Sequence, residues 1–339
     1  MPSLDVLVLY NEPALAADDP DYASEAGVLD SVAAVDEALA AAGHRSRHLS
    51  VRSLPGLLDD LKRLPAPDVV FNLFEGFAGV GRGEAVVAGL VELLGYPLTG
   101  SRGQCLDLVR DKAQTKWLLA GAGWPTARFE LISPAQRLPE RKLRALLDDG
   151  PAIVKPAHED ASLGIGPQSV VGDYAALTAQ VNEVRSRYGA VLVEQFVAGR
   201  EFNAAILALP EAKLLPLAEI EFDKSVPATE HLVTYAAKWA AGSAADLATR
   251  PRCPADVSAG LAERIGAAAL GAFRATGCRD YARVDMRVDS DENVYILEVN
   301  GNPDIGPAAG FARALTTSGM QYGEFVDRLV RCAGTRGHK

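Results

Sequence analysis

The chain has 339 residues, 48% of them hydrophobic and 23% charged, a globular composition that excludes disorder, collagen and coiled coil. With 34 Lys+Arg against 44 Asp+Glu the formal net charge is -10, so nucleic acid meets a repulsive average field and is not an expected partner. Apolar runs such as 6–10 and 204–209 fall far short of the roughly 18 to 20 residues that span a bilayer. The Met-Pro-Ser-Leu-Asp start carries no basic region, so it does not read as a secretory signal. No membrane association and a cytoplasmic location are the expectations.

Cys105, Cys253, Cys278 and Cys332 form no CxxC pair, and His44, His48, His158, His231 and His338 form no HExxH cluster. A zinc site is therefore not expected, and any metal would be held by carboxylates.

In chain order, residues 5–10 read as a strand. A helix over 28–42 follows, with Val28, Val32, Val35 and Leu39 on one face and Gly43 closing it. Residues 68–74 read as a buried strand, so a parallel α/β sheet is expected. Glycine-rich residues 76–83 lead to a helix containing Val86, Val87, Leu90, Leu93 and Leu94. A helix over 111–122 stops at Gly123 and Pro125, and a short strand over 152–155 runs into a loop with Gly164 and Gly166. Strands are predicted over 191–195, 201–209 and 214–222. Residues 223–254 lack periodicity and read as a lid. An Ala-rich helix over 257–276, strands over 281–288 and 294–299, and a final helix over 322–332 complete the chain.

Chemistry concentrates in the last two strands. Period-two spacing puts Arg283 with Asp285, and Glu298 with Asn300, on one face each. Two carboxylates and an amide beside an arginine make an oxygen-rich pocket suited to Mg²⁺ carrying phosphate. Lys112 opens a helix, and Lys155 ends an apolar strand before a proline, where an ammonium lies beside loop N–H groups. Lys116, one turn beyond Lys112, reads as a solvated side chain. The loop 158–166, with two glycines and the acids Glu159 and Asp160, is a weak phosphate cradle. The segment VLVEQFVAGREF, from Glu194 through Gln195, Phe196 and Val197 to Glu201, suits an adenine slot in which backbone meets the base edge and a carboxylate meets ribose.

With these pieces in order the chain resembles the ATP-grasp enzymes and, within them, the D-alanine–D-alanine ligase family. The resemblance rests on GLVELLGYPLTGS, DKAQTKWLLAGAGWPT, IVKP, VEQFVAGREF, RVDMRV and LEVNGNP. It implies α/β and α+β architecture in an ATP-grasp fold, with a Rossmann-like N-terminal domain and two ATP-grasp lobes built on antiparallel sheets. The expected domains are 1–101, 102–189 and 190–339, the last carrying the lid at about 223–254. The implied chemistry is ligation of a carboxylate to an amine through an acyl phosphate, using ATP and two Mg²⁺ ions for which Mn²⁺ substitutes. Amino acids or small peptides would be the substrates, and a homodimer through the N-terminal domain is implied.

Carried over by position, Lys112, Lys155 and Ser162 contact phosphates. Glu194, Gln195, Phe196 and Val197 form the adenine hinge, and Glu201 holds ribose. Asp285, Glu298 and Asn300 bind Mg²⁺, Arg283 steadies the acyl phosphate and oxyanion, and Lys238 of the lid reaches the transferred phosphate. The substrate side departs from the family. Glu75-Gly76 stands for its His-Gly turn, and Gly81-Arg82-Gly83-Glu84 for its Gly-Glu-Asp-Gly run. Asp304 and a Gly-Pro-Ala-Ala stretch replace the segment with the acceptor-binding Ser, Trp239 replaces Tyr, and Glu25 falls one place out of register with the family's amine-binding Glu. These changes point to an altered substrate pocket. Genuine D-alanine–D-alanine ligation, or a nucleotide-binding module without ligase chemistry, are the alternatives.

Overall fold

The computed structural model describes residues 2–15, 22–77, 81–240 and 242–336. Asp5–Asn11 pairs in parallel with both Arg45–Val51 and Val69–Leu73, giving a three-stranded sheet with the first strand central. Its apolar residues leave no solvent face: Val6 and Val8 pack toward the helix Val28–Ala41, Leu7 and Leu9 toward the helix Gly83–Leu93. Burial on both sides is what a parallel sheet requires. The helix Gly83–Leu93 buries Ala85, Val87, Ala88 and Val91, whereas Val86 and Leu93 are exposed.

Phe129–Ile132, Val191–Gln195, Ala152–Pro156 and Val170–Val171 form a four-stranded antiparallel sheet in that order. The helices Glu140–Leu147 and Tyr174–Tyr188 cover it. The second was readable from Leu177, Val181 and Val184 at helical spacing behind the cap Asp173.

The largest sheet is antiparallel and runs Thr249–Arg252, Ala218–Phe222, Arg200–Ala208, Tyr281–Val288, Val294–Asn300, with Ala212–Leu214 also pairing to Arg200–Ala208. The stretch expected as one strand over 214–222 is thus broken over 215–217: the Leu215 N–H still donates to the Ala205 carbonyl, and the ladder lapses at Pro216, which has no N–H to give. The helix Ala259–Ala275 packs Leu261, Ile265 and Ala269 on this sheet. The last helix, Tyr322–Gly334, returns to the first sheet, where Phe325 and Leu329 share a core with Val6 and Val69.

Residues 223–254 are not structureless. They hold the short helices Tyr235–Trp239 and Ala244–Leu247, each capped by a hydroxyl, Thr234 and Ser243, and the edge strand Thr249–Arg252. Weak amphipathy hides such short elements, whereas their caps are legible.

Candidate active site

A cleft of about 1540 Å³ opens between the three sheets, and every candidate residue drawn from the sequence borders it, from Glu25 to Asp304. Its floor is the hairpin Tyr281–Val288 and Val294–Asn300. Asp285 lies directly across from Glu298, and Arg283 across from Asn300. The Arg283 guanidinium grips Asp285 through both oxygens, at 2.7 and 2.8 Å, and the amides of Asn203 and Asn300 donate to the same carboxylate at 2.7 and 3.1 Å. With its roughly four lone-pair positions filled, Asp285 acts here as the anchor of Arg283. Glu298 and the carbonyl oxygen of Asn300 are the hard donors left facing the cleft, a set that fits a divalent cation.

Four cations surround Glu298. Burial opposes its ionisation, but Lys112, Lys238, Lys155 and Arg283 prevail and hold its carboxyl far below the ordinary range. Lys112, capped into its helix by Asp111, lies 3.5 Å from Glu298 and 3.0 Å from Asp160, and its ammonium also donates to the Glu159 carbonyl. It therefore ties the loop 158–166 to the hairpin. Lys238 projects from the lid helix into the cleft, where crowding by protein and the nearby Arg283 lower its pKa.

The loop 158–166 takes part of its turn from residues other than glycine. Ala161 and Ser162 occupy the left-handed region, at φ 54° and 63°, so the loop adopts a turn usually left to glycine without having it there. The Ser162 hydroxyl donates to the Val233 carbonyl at 2.7 Å and the Trp239 indole N–H to the Ala161 carbonyl at 3.4 Å. Ser162 and Trp239 thus latch the lid to the loop.

At the hinge, Phe196 and Val197 are buried and Gly199 sits at φ 144°, where an added Cβ would lie 2.1 Å from the Val288 carbonyl oxygen. Arg287, which the sequence reading passed over, holds this corner. It pairs with Glu201 at 2.8 Å, donates to the carbonyls of Val197 at 2.9 Å and of His231, and stacks over the Phe196 ring. The signal was present, since residues 283, 285 and 287 share one face of a strand. Lys116 is the plainest correction: it is 1% exposed and lies 2.5 Å from Glu194. A lysine one turn from Lys112 shares its helix face.

Three further acids, Glu75, Glu84 and Asp304, border the same cleft. Among the described residues Glu75, Glu84 and Asp304 form no ion pair. Enclosure by protein, then Asp304 and Asp160, push Glu75 up to about 7. Burial likewise pushes Glu84 up to about 8, with Asp160 and Glu75 adding to it and a hydrogen bond from Asn302 opposing. Asp304 accepts from Ser31 and from the Gly306 N–H. Glu25 accepts from the backbone N–H groups of Ala14 and Leu15, so it braces the N-terminal loop while bordering the cleft. Because the folded pKa of Glu84 lies above its unfolded value, the stability it contributes is present in acid and lost as pH rises through about 8. Glu84→Gln is expected to raise the melting temperature by about 2–4 °C at pH 8.5 and hardly at pH 5. Equal shifts at both pH values in thermal melts would remove this account of Glu84.

A family model described as the D-alanine–D-alanine ligase C-terminus matches residues 118–331. The chain belongs to the D-alanine–D-alanine ligase family. This places it among the ATP-grasp ligases, ATP-dependent enzymes that form a C–N bond. A D-alanine–D-alanine ligase of Desulforudis audaxviator is 36% identical, over 75% of this chain and 78% of the relative. The uncharacterized protein y4sG of Sinorhizobium fredii is 33% identical over 91% and 88%. Among solved structures, the Bacillus anthracis D-alanine–D-alanine ligase complexed with ATP superposes with a TM-score of 0.77, covering 98% of this chain and 97% of its own at 21% identity. That likeness carries the fold, mixed α/β with antiparallel sheets. Among the described residues no helix is long and apolar enough to cross a membrane.

Proposed function

We propose that this family member joins a carboxylate to an amine through an acyl phosphate, using amino acids or small peptides, and takes its acceptor as a cation. The observation that carries the second part is the set of acids in the cleft: Lys112, Lys155, Lys238 and Arg283 gather around Glu298, while Glu75, Glu84 and Asp304 line the same cleft without an ion pair among the described residues. A carboxylate-bearing acceptor end would meet repulsion there, and an ammonium would meet attraction.

ATP fits the cation-lined end, with Glu201 and the hinge at its far limit. Mg²⁺ bound with it would neutralise phosphate charge, held by Glu298 and Asn300. Arg283, fixed by Asp285, sets a positive charge where oxyanion character develops. Lys238 and Trp239 close the lid and exclude water.

The test is ADP release with MgATP against D- and L-amino acids, their amides, diamines and short peptides, with mass spectrometry of each product. Acceptors bearing a second ammonium should be preferred. Their KM should fall as pH rises from about 6 to about 8.5, because Glu75 and Glu84 lose protons over that interval. A KM that is flat or rises with pH would remove these acids from acceptor binding. The second reading is genuine D-alanine–D-alanine ligation, favoured by the 36% identical relative of that name. D-alanyl-D-alanine as the dominant product would establish it and refute a cationic acceptor.

A further inference from the structure

Lys116 lies behind the cleft wall, and its contacts give it a purpose. Its Nζ donates to Glu194 Oε1 at 2.5 Å, to Thr126 Oγ1 at 2.7 Å and to the Ile296 carbonyl at 3.3 Å, with the Phe129 ring 5.9 Å away. The other oxygen of Glu194 lies 2.6 Å from Lys155 Nζ. Lys116, 1% exposed, lies outside the cleft lining, whereas Glu194, also 1% exposed, and Lys155, at 8%, border the cleft. One buried carboxylate is thus shared by two ammonium groups.

Charge accounting makes this arrangement informative. A Lys155–Glu194 pair alone is neutral, and burying a further cation is unfavourable unless its charge is used. Three groups together carry a net charge of one positive unit, which emerges at the cleft through Lys155. Burial resists the charge on Glu194, yet the two lysines hold its carboxyl below the ordinary range. Burial, together with Lys155, draws Lys116 down to about 8 against the pull of Glu194, with Glu298 more distant. The asymmetry is physical: Glu194 has two cations beside it, Lys116 one carboxylate. Lys116 and Glu194 therefore both remain charged at neutral pH.

We propose that Lys116 is a positioning residue for the nucleotide phosphates: by engaging one oxygen of Glu194 it keeps the charge of Lys155 available to an anion in the cleft. The inference rests on the proposed nucleotide site and is independent of the acceptor. Without Lys116, Glu194 and Lys155 close into a neutral pair and the anion loses its counter-charge.

Calorimetric titration of the full chain with ADP and with a non-hydrolysable ATP analogue, both with Mg²⁺, tests it. Lys116→Met should weaken binding at least about tenfold, the scale of one charge-assisted contact. Lys116→Arg should retain most of the affinity. Because Glu194 borders the adenine hinge, Glu194→Gln is the reference for the double variant Lys116→Met/Glu194→Gln, which removes both buried charges, leaves Lys155 its own, and should bind within about threefold of Glu194→Gln alone. The proposal is overturned if Lys116→Met binds within about twofold of the unaltered chain. It is equally overturned if Lys116→Met weakens binding as much in the Glu194→Gln background as in the unaltered chain, the result expected of a residue that only packs. Should Lys116→Met not fold, Lys116→Gln takes its place in the same comparisons. An unaltered protein that binds neither nucleotide would sink the nucleotide site itself, and this inference with it.

Discussion

Replacing Glu298 by glutamine is expected to lower turnover by about a thousandfold while leaving the fold intact, because it removes the one carboxylate that faces the cleft from among four cations. Glutamine keeps the shape of the side chain and one oxygen, so packing against the hairpin partner Asp285 survives. What changes is charge. Lys112, 3.5 Å away, and Lys238 lose the anion they balance, and a divalent cation loses its strongest anchor. The Mg²⁺ concentration for half-maximal ADP release should rise at least about tenfold. The variant should also show a weaker acid limb in thermal melts. The folded pKa of Glu298 is depressed, so its contribution to stability is present above the ordinary carboxylate pKa and lost as pH falls. Turnover within about tenfold of the unaltered protein, at the same Mg²⁺ requirement, would show that Glu298 is not a metal anchor.

Arg283→Met is expected to cost about a hundredfold to a thousandfold in kcat, with KM for ATP nearly unchanged, since in the proposed mechanism the guanidinium acts where charge develops during reaction. Arg283 is gripped by Asp285 at 2.7 and 2.8 Å and is 19% exposed, so its direction is fixed before substrate arrives. Arg283→Lys should recover only part of the loss. An ammonium restores the charge but cannot make the two-pronged contact with Asp285 that aims it. Steady-state kinetics on both variants provide the check. A rise in KM for ATP with kcat preserved would make Arg283 a ground-state phosphate contact instead.

Much of this site was legible because strand periodicity is strict. Arg283, Asp285, Glu298 and Asn300 are two apart on neighbouring strands, and the observed register sets them opposite one another. The hinge was readable for a similar reason, an apolar strand interrupted by glycine. Long-range partnerships were harder. Nothing near Lys116 announces Glu194, 78 residues away, and an isolated lysine is most often solvated. Arg287 hid in plain sight, since charged residues on alternating strand positions usually face water. The helices Gly103–Arg110 and Glu140–Leu147 are too short for periodicity to stand out. Counting glycines did not reveal the turn in the loop 158–166, where Ala161 and Ser162 take the backbone shape glycine would have supplied.

That backbone shape has a kinetic side. Two successive L-residues in the left-handed region cost roughly 1–2 kcal/mol each, and here they stand at the contact of the loop with Val233 and Trp239. Such strain persists only while its surroundings enforce it. Lifting the lid breaks both latch bonds and lets Ala161 and Ser162 relax, so the closed form is loaded toward opening. In the proposed reaction that bias would favour departure of the finished product, the step at which a tightly shut ligase would otherwise stall.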